Sequence, residues 1–146
     1  ISNILEEYFI IRTSWLYSAY GKNFVKTIVN KIKENTELKI TTAETGTPTS
    51  CIDLSNFLYV IIKSKSKNYG IYHFSNEGTA TWYDLSVEIA KNLNSYNKNT
   101  LVPIKGFKTK AERPKYSVMS KAKLELNFNF VPNNWKEALT GVLETL

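Results

Sequence analysis

The chain is poor in the side chains that carry metal and redox chemistry: its 146 residues include one histidine, one cysteine and one methionine. A lone cysteine excludes a disulfide within the chain, and with a single histidine it cannot complete a Cys/His metal cluster. We therefore predict no metal site. No apolar run reaches the roughly 20 residues that cross a bilayer, and no secretory signal pattern opens the sequence. These absences favour a protein of the reducing cytoplasm.

Motifs of common enzyme classes are missing as well. The sequence has neither the G-x-G-x-x-G fingerprint of dinucleotide-binding loops nor the G-x-S-x-G turn of a serine nucleophile. His73 lies between Tyr72 and Phe74 in an apolar run, which favours a structural role over a catalytic one. The chain begins at Ile1, and Met119 is its only methionine. We interpret it as a fragment or an excised domain of a longer protein.

The residues that are present describe a globular domain with a basic surplus. Hydrophobic residues make up 42% of the chain and aromatic residues 13%, as in a packed domain rather than a disordered tail. The formal net charge is +6, with 17 lysines and two arginines. Such a surplus suits an anionic partner, but lysines scattered over a solvated surface give the same total. The placement of the charge has to decide between these readings.

Strand and helix patterns alternate along the chain and predict an α/β protein. Runs of β-branched and aromatic residues predict strands over 8–13, 38–41, 70–75 and 101–104. Apolar residues at helical spacing predict helices over about 23–34, from 50 to the lysines at 63–67, over 81–94 and from 134 onward.

Local signals refine these elements. Pro103 cannot donate to a ladder, so the strand that contains it is predicted at a sheet edge. The segments 50–53 and 81–84 each have the form of a capping box, with a hydroxyl residue followed three positions later by aspartate. The stretch 105–133 shows little periodicity and is predicted to be irregular. Loops of that length in a compact domain are usually functional or disordered.

Cations concentrate in that irregular stretch. Against a single acid, Glu112, residues 105–123 carry seven basic residues: Lys105, Lys108, Lys110, Arg113, Lys115, Lys121 and Lys123. The planar fork of Arg113 suits bidentate binding of phosphate oxygens. On spacing alone, a clamp for a diphosphate and a solvated basic loop remain equal alternatives.

An ordered series of short motifs carries a resemblance to a known family. The series runs Arg12-Thr-Ser-Trp-Leu-Tyr17, Gly21-Lys-Asn-Phe-Val25, Gly46-Thr-Pro-Thr49 with Asp53-Leu54, Gly70-Ile-Tyr-His-Phe-Ser-Asn-Glu-Gly78, Trp82-Tyr83, Arg113-Pro-Lys-Tyr-Ser117 and Trp135-Lys-Glu-Ala-Leu139. In this order the motifs resemble the dTDP-4-dehydrorhamnose reductases, which are extended short-chain dehydrogenase/reductases. The resemblance covers nearly the whole chain.

The resemblance implies the C-terminal part of such a reductase. Residues 1–146 would form one substrate-binding domain, with 1–20 adding a strand to the Rossmann sheet of the parent. The N-terminal cofactor-binding half, which holds the NADPH (or NADH) loop, the catalytic Thr and the Tyr-x-x-x-Lys pair, would be absent. The parent would reduce dTDP-4-dehydro-L-rhamnose to dTDP-L-rhamnose for cell-surface polysaccharide. This chain alone would supply no catalytic residue and would be inactive.

The resemblance also implies roles for matched positions. Seven residues would contact the dTDP-sugar: Ser14, Trp15, Asn23, Phe24, Val25, Arg113 and Lys115. Ser14 would also meet the nicotinamide, and the two cations would neutralise the diphosphate. One departure stands out, because Glu44 occupies a position ahead of the Gly-x-Pro-Thr loop where the family usually has glutamine. Gly46 in that loop is predicted to permit an unusual backbone angle.

Other functions stay open at this point. A non-catalytic regulatory subunit of the same fold would lack the Tyr-x-x-x-Lys pair upstream. A related nucleotide-sugar epimerase or dehydratase shares the fold, and only local motifs separate them. A nucleic-acid-binding module has no recognised motif in its favour, and we expect no membrane partner. If the first strand has a free edge, the chain should self-associate by strand pairing.

Overall fold

The computed structural model describes residues 1–95, 100–106 and 113–146, and the α/β class is confirmed. Eight strands are described: β1 (Phe9–Thr13), β2 (Leu16–Tyr17), β3 (Leu38–Thr41), β4 (Thr45–Gly46), β5 (Thr49–Ser50), β6 (Gly70–Phe74), β7 (Ala80–Thr81) and β8 (Leu101–Ile104). The described helices are α1 (Phe24–Lys33), α2 (Cys51–Ser64), α3 (Trp82–Asn92), α4 (Ala122–Phe128) and α5 (Trp135–Leu143). None of these helices is long and apolar enough to cross a membrane.

The described strands pair two by two. β1 runs parallel to β6, β2 parallel to β5, and β3 parallel to β8, whereas β4 and β7 are antiparallel. The predicted edge position of β8 fits this topology, since β3 is its one neighbour among the described strands and Pro103 stands opposite Ile40. His73 lies opposite Arg12 in the β1–β6 pair and is half-buried. Parallel pairing places the carboxyl ends of β1 and β6 side by side, and likewise those of β3 and β8.

Two hydrophobic clusters hold these layers together. The larger cluster packs α1, α3 and α5 around Val25, Leu85, Ile89 and Leu139, which are essentially inaccessible to solvent. The smaller cluster packs α2 and α4 on the β1–β6 pair through Phe57, Tyr72, Phe74, Ile61 and Leu124. Burying each of these large side chains contributes about 1.5–3 kcal/mol. Most of the apolar residues at helical spacing therefore face the core as predicted, but Leu58 and Ile62 of α2 are exposed.

The two predicted capping boxes have different outcomes. At α3 the box is confirmed: Thr81 Oγ1 accepts from Asp84 N, and the Asp84 carboxylate accepts from Thr81 N at 2.8 Å. At α2 the serine cap is confirmed, because Ser50 Oγ accepts from Ile52 N, but Asp53 does not return to the cap. Asp53 is instead buried and accepts from the side-chain amides of Asn76 and Asn133.

The basic stretch is less irregular than predicted. It contains α4, whose Leu124 is fully buried against β6, and two of its lysines are used structurally. Lys121 Nζ lies 3.2 Å from Glu77. Lys123 donates to Ile71 O at 3.0 Å and lies over the Tyr72 ring. These two lysines therefore do not belong to one cluster of cations around a phosphate, and Lys108, Lys110 and Glu112 lie outside the described residues.

Candidate functional site

The candidate site lies where the carboxyl ends of parallel strands converge. Ser14 follows the end of β1, and Glu44 follows β3 by two residues. Although these strands belong to different pairs, both side chains line one cavity. Open α/β sheets bind ligands outside the carboxyl ends of their strands. The fold therefore brings the first predicted residue, Ser14, to the place where a ligand is expected.

Two cavities open at this edge. The larger has a volume of about 510 Å³ and is mainly apolar, with Phe24, Ile40, Thr41 and Lys39 in its wall. The smaller, of about 340 Å³, is lined by Ser14, Trp15, Pro114 and Ser117.

Three residues line both cavities: Glu44, Trp82 and Arg113. They form a shared wall between an aromatic compartment and a more polar one. A mainly apolar pocket with a few convergent polar groups is the usual form of a small-molecule site. We refer to the two cavities together as the bipartite cleft.

Trp15 contributes to this cleft through a stack of aromatic rings. Its ring lies parallel to that of Trp82, with centroids 3.7 Å apart, and Trp82 in turn contacts Phe24 at 4.5 Å. One face of the Trp15 ring is therefore covered by Trp82. The residue has a φ of 47°, a left-handed conformation that costs a non-glycine residue about 1–2 kcal/mol. The backbone turns at this point and aims the indole at its partner.

Gly46 is needed here for space, which corrects the predicted reason for it. Its φ is not positive, unlike those of Gly21, Gly70, Gly78 and Gly106. A Cβ at Gly46 would lie 2.7 Å from Trp15 Cε2 and 2.8 Å from Ser117 Oγ. Contacts under 3.0 Å do not occur for real Cβ atoms, so a side chain there would displace the indole.

The start of α1 holds three of the predicted residues in three different ways. Asn23 caps the helix: its Oδ1 accepts from Lys26 N, and its amide nitrogen donates to Ser18 O at 2.8 Å. Phe24 lines the larger cavity. Val25 is fully buried in the core beneath. Of these three side chains the structure thus brings Phe24 into the cleft, while Asn23 and Val25 hold the helix that carries it.

Arg113 and Lys115 sit on a segment fastened to β4. Thr45 N donates to Lys115 O, and Ser117 N donates to Thr45 O, both at 2.8 Å. This ladder places the guanidinium of Arg113 in the wall of both cavities. The side chain of Lys115 is exposed and lines neither cavity. The geometry therefore separates the two predicted phosphate ligands, with Arg113 at the cleft and Lys115 beside it.

Glu44 and Trp82 are the two residues of the shared wall that the predicted contact set omits. Trp82 appears in the sequence only as a motif landmark at the start of a helix. Glu44 stands out as a departure from the family pattern, without a defined contact. Periodicity does not reveal either role, because the wall forms only when the loop after β3, the start of α3 and the segment 113–117 meet.

Hydroxyls and buried polar groups support the cleft from behind. Ser14 Oγ donates to Thr47 O at 3.1 Å, and Thr47 Oγ1 donates to Gly78 O at 2.9 Å.

Deeper in the fold, burial raises the pKa of the Tyr17 phenol, and the neighbouring Asp53 and Cys51 raise it further. Tyr17 is therefore a neutral core residue at physiological pH.

Two other tyrosines have shifted acidities, and both lie outside the cleft. Burial raises the pKa of Tyr72, and burial followed by the charge of Glu7 raises that of Tyr69. Among the described residues no group of three or more His, Cys, Asp or Glu side chains is placed to hold a metal ion.

Comparison with known proteins gives a consistent assignment. Residues 1–146 match the family described as the RmlD substrate binding domain. A spore coat polysaccharide biosynthesis protein, SpsK of Bacillus subtilis, is 35% identical over 92% of this chain and 46% of its own length. The crystal structure of a dTDP-4-dehydrorhamnose reductase from Clostridium acetobutylicum superposes with a TM-score of 0.89 at 37% identity, covering 99% of this chain and 50% of that one.

A second solved reductase that resembles this chain was crystallised with its cofactor. The dTDP-4-dehydrorhamnose reductase of Bacillus anthracis, solved in complex with NADP, has a TM-score of 0.88 at 34% identity, covering 99% of this chain and 50% of that one. The present chain thus spans about half the length of the relatives it matches. The match over residues 1–146, together with a cleft at the carboxyl ends of its strands, shows that the chain belongs to the RmlD substrate binding domain family.

Proposed function

We propose that this chain is the sugar-nucleotide-binding half of a dTDP-4-dehydrorhamnose reductase. The intact enzyme would reduce the C4 ketone of dTDP-4-dehydro-L-rhamnose with NADPH and give dTDP-L-rhamnose for cell-surface polysaccharide. The observation that carries the proposal is the bipartite cleft. Its shared wall places one guanidinium between an aromatic compartment and a hydroxyl-lined one, in the order base, diphosphate and sugar of a nucleotide sugar.

The larger cavity suits the thymidine. Phe24 and Trp82 offer aromatic surface on which a base can stack, and such stacking contributes about 1–3 kcal/mol per base. The predominantly apolar wall also accommodates the methyl group of thymine, which uracil lacks. We therefore expect dTDP to bind more tightly than UDP.

Arg113 suits the diphosphate, and the smaller cavity suits the deoxysugar. Guanidinium groups bind phosphate oxygens through paired, charge-assisted hydrogen bonds. Beside Arg113, the hydroxyls of Ser14 and Ser117 line the smaller compartment. Both donate their protons to backbone carbonyls, so their oxygens can accept hydrogen bonds from sugar hydroxyls. Each of these groups is fixed by the backbone that carries it, so the ligand would be oriented as well as held.

The residues present fit the edge of a cofactor site and not its centre. The sequence contains no glycine-rich phosphate loop, but Ser14 lines the smaller cavity with a hydroxyl whose proton is donated to Thr47 O, leaving oxygen lone pairs for a ligand. NADPH supplies hydride when bound to such reductases. The part of this chain would be to hold the ketone in place, since orientation converts a bimolecular step into a local one. We propose that the chain alone has no reductase activity.

Calorimetric titration tests the proposal. The chain should bind dTDP, bind UDP more weakly, and lose about 1.5–3 kcal/mol of dTDP binding free energy in Arg113→Ala, as for a hydrogen bond to a charged group. Lys123→Ala is the matched control, because Lys123 donates to Ile71 O and covers the Tyr72 ring of the other cluster. It removes the same charge and should leave affinity within twofold. A folded chain that binds neither nucleotide, or that loses equal affinity in both variants, contradicts the proposal.

A further inference from the structure

The bipartite cleft contains a negative charge at the point where a phosphate ligand is expected. Glu44 lines both cavities together with Arg113 and Trp82, and among the residues that the structure describes it is the one carboxylate in either lining. Its side chain is partly buried. Within residues 1–95, 100–106 and 113–146, no ion pair or hydrogen bond of the Glu44 carboxylate is formed, and none joins it to Arg113. In the described part of the chain Arg113 has no ion pair either, so Glu44 and Arg113 give the shared wall two opposite charges.

The chemistry of a carboxylate decides what such a wall selects. An ionised carboxylate only accepts hydrogen bonds. It therefore attracts the hydroxyl groups of a sugar and repels phosphate oxygens. At about 4–6 Å, two like charges near a protein surface repel by roughly 1–4 kcal/mol, depending on how much water remains between them.

Free and sugar-linked nucleoside diphosphates differ in the negative charge and in the hydrogen-bond donors that they present to a carboxylate. A terminal phosphate is a monoester-like group with a second ionisation near pH 6, so it carries close to two negative charges at neutral pH. Esterification by a sugar removes the second ionisation and adds hydroxyl donors next to the phosphate. The sugar-linked ligand thus presents about one fewer charge, and more donors, at the position where the two cavities meet.

We propose that Glu44 makes the cleft select sugar-linked nucleoside diphosphates over free nucleoside diphosphates. Arg113 binds the diphosphate in either ligand, whereas Glu44 accepts from the sugar and penalises a terminal phosphate. The selectivity keeps a sugar-free nucleotide from occupying the site that the substrate needs. The inference rests on the proposed function, because it assumes that the diphosphate lies at Arg113.

The test compares two ligands on three proteins. Calorimetry at pH 7.5 with dTDP and dTDP-glucose is run on the wild-type chain, on Glu44→Gln, and on the control Glu125→Gln, an exposed acid on α4 beside the other cluster. We expect the wild type to prefer dTDP-glucose. Glu44→Gln should bind dTDP roughly 5–10-fold more tightly, from the loss of like-charge repulsion, while its affinity for dTDP-glucose stays the same or falls. The control should keep the wild-type ratio of the two affinities.

A pH series separates ligand selection by the Glu44 charge from a purely structural role of the Glu44 side chain. As pH falls from 7.5 to 5.5 the terminal phosphate of dTDP gains a proton. The wild-type preference for dTDP-glucose should then narrow, and that of Glu44→Gln should change less. A folded Glu44→Gln chain with an unchanged ratio of affinities overturns the inference and leaves the proposed function intact. Absence of binding of either ligand to the wild-type chain overturns both.

Discussion

Replacing Gly46 by alanine tests the packing that shapes the cleft. The added methyl would lie 2.7 Å from Trp15 Cε2 and 2.8 Å from Ser117 Oγ, about 1 Å inside normal carbon contact. Trp15 cannot yield freely, because its ring is stacked on Trp82 at 3.7 Å. Overpacking of this kind lowers the free energy of unfolding by about 1–3 kcal/mol. The reduced conformational entropy of the unfolded chain offsets about 0.4–1 kcal/mol of that loss. We expect Gly46→Ala to lose about 1–2 kcal/mol and to melt roughly 2–8 °C lower.

Gly141 provides a matched control for the same chemical change. It lies within α5, and a Cβ there would meet nothing within 4 Å. Alanine is favoured over glycine in a helix by about 0.8–1 kcal/mol, so Gly141→Ala should melt at or above the wild-type temperature. Thermal melts followed by far-UV circular dichroism give both values, and near-UV spectra report on the Trp15–Trp82 pair. A Gly46→Ala chain that melts no lower than wild type, with unchanged near-UV spectra, would refute the packing argument.

Three further predictions concern the rest of the fold. Thr81→Ala removes the cap of α3 and should cost about 1 kcal/mol in urea unfolding; an unchanged midpoint would show that the bond to Asp84 contributes nothing. Burial, followed by the charges of Asp53 and Cys51, raises the pKa of Tyr17 in the folded chain. Above about pH 10 the tyrosine of the unfolded chain ionises first, so the contribution of Tyr17 to stability is present below that pH and is lost above it. Tyr17→Phe should flatten that alkaline loss in part, and an identical slope would contradict the assignment. Sedimentation at millimolar concentration should show self-association through the edge of β1 that no described strand pairs, and a strictly monomeric chain would count against it.

The sequence predicts the elements whose signals are local. The helices α1, α2, α3 and α5 each carry apolar residues at helical spacing behind a capping side chain, and all four begin within one residue of their predicted start. The longer strands β1, β3, β6 and β8 are runs of β-branched and aromatic residues. Both kinds of signal lie within a single stretch of chain, so one sequence suffices to find them.

Features that depend on contacts between distant parts of the chain could not be predicted from the sequence. The two-residue strands β2, β4, β5 and β7 exist because of their partners, and α4 has Leu124 as its one fully buried residue, too little for a periodic pattern. Asp53 looks like part of a helix cap until Asn76 and Asn133, 23 and 80 positions away, are seen to bond it.

In the candidate site, too, residues within local motifs could be predicted, and residues placed by distant contacts could not. Ser14, Phe24 and Arg113 could be named because each belongs to a motif of the family, and all three line the cleft. Trp82 and Glu44 could not be assigned a contact, since their roles depend on three separate segments meeting at one wall. Lys121 and Lys123 are near Arg113 in sequence, but Lys121 donates to Asn76 O and Lys123 to Ile71 O of β6. Charge density along a chain is therefore a poor guide to charge density in space.

Nuclear magnetic resonance of the tryptophan side chains tests the location of the site most directly. The chain has three tryptophans and should give three indole N–H signals, assignable by single Trp→Phe variants. Trp82 lines both cavities and stacks on Trp15, whereas Trp135 is buried in the core at the start of α5. Titration with dTDP should shift the signals of Trp82 and Trp15 and leave that of Trp135 in place. A shift confined to Trp135, or saturating binding that moves neither cleft tryptophan, would contradict the account.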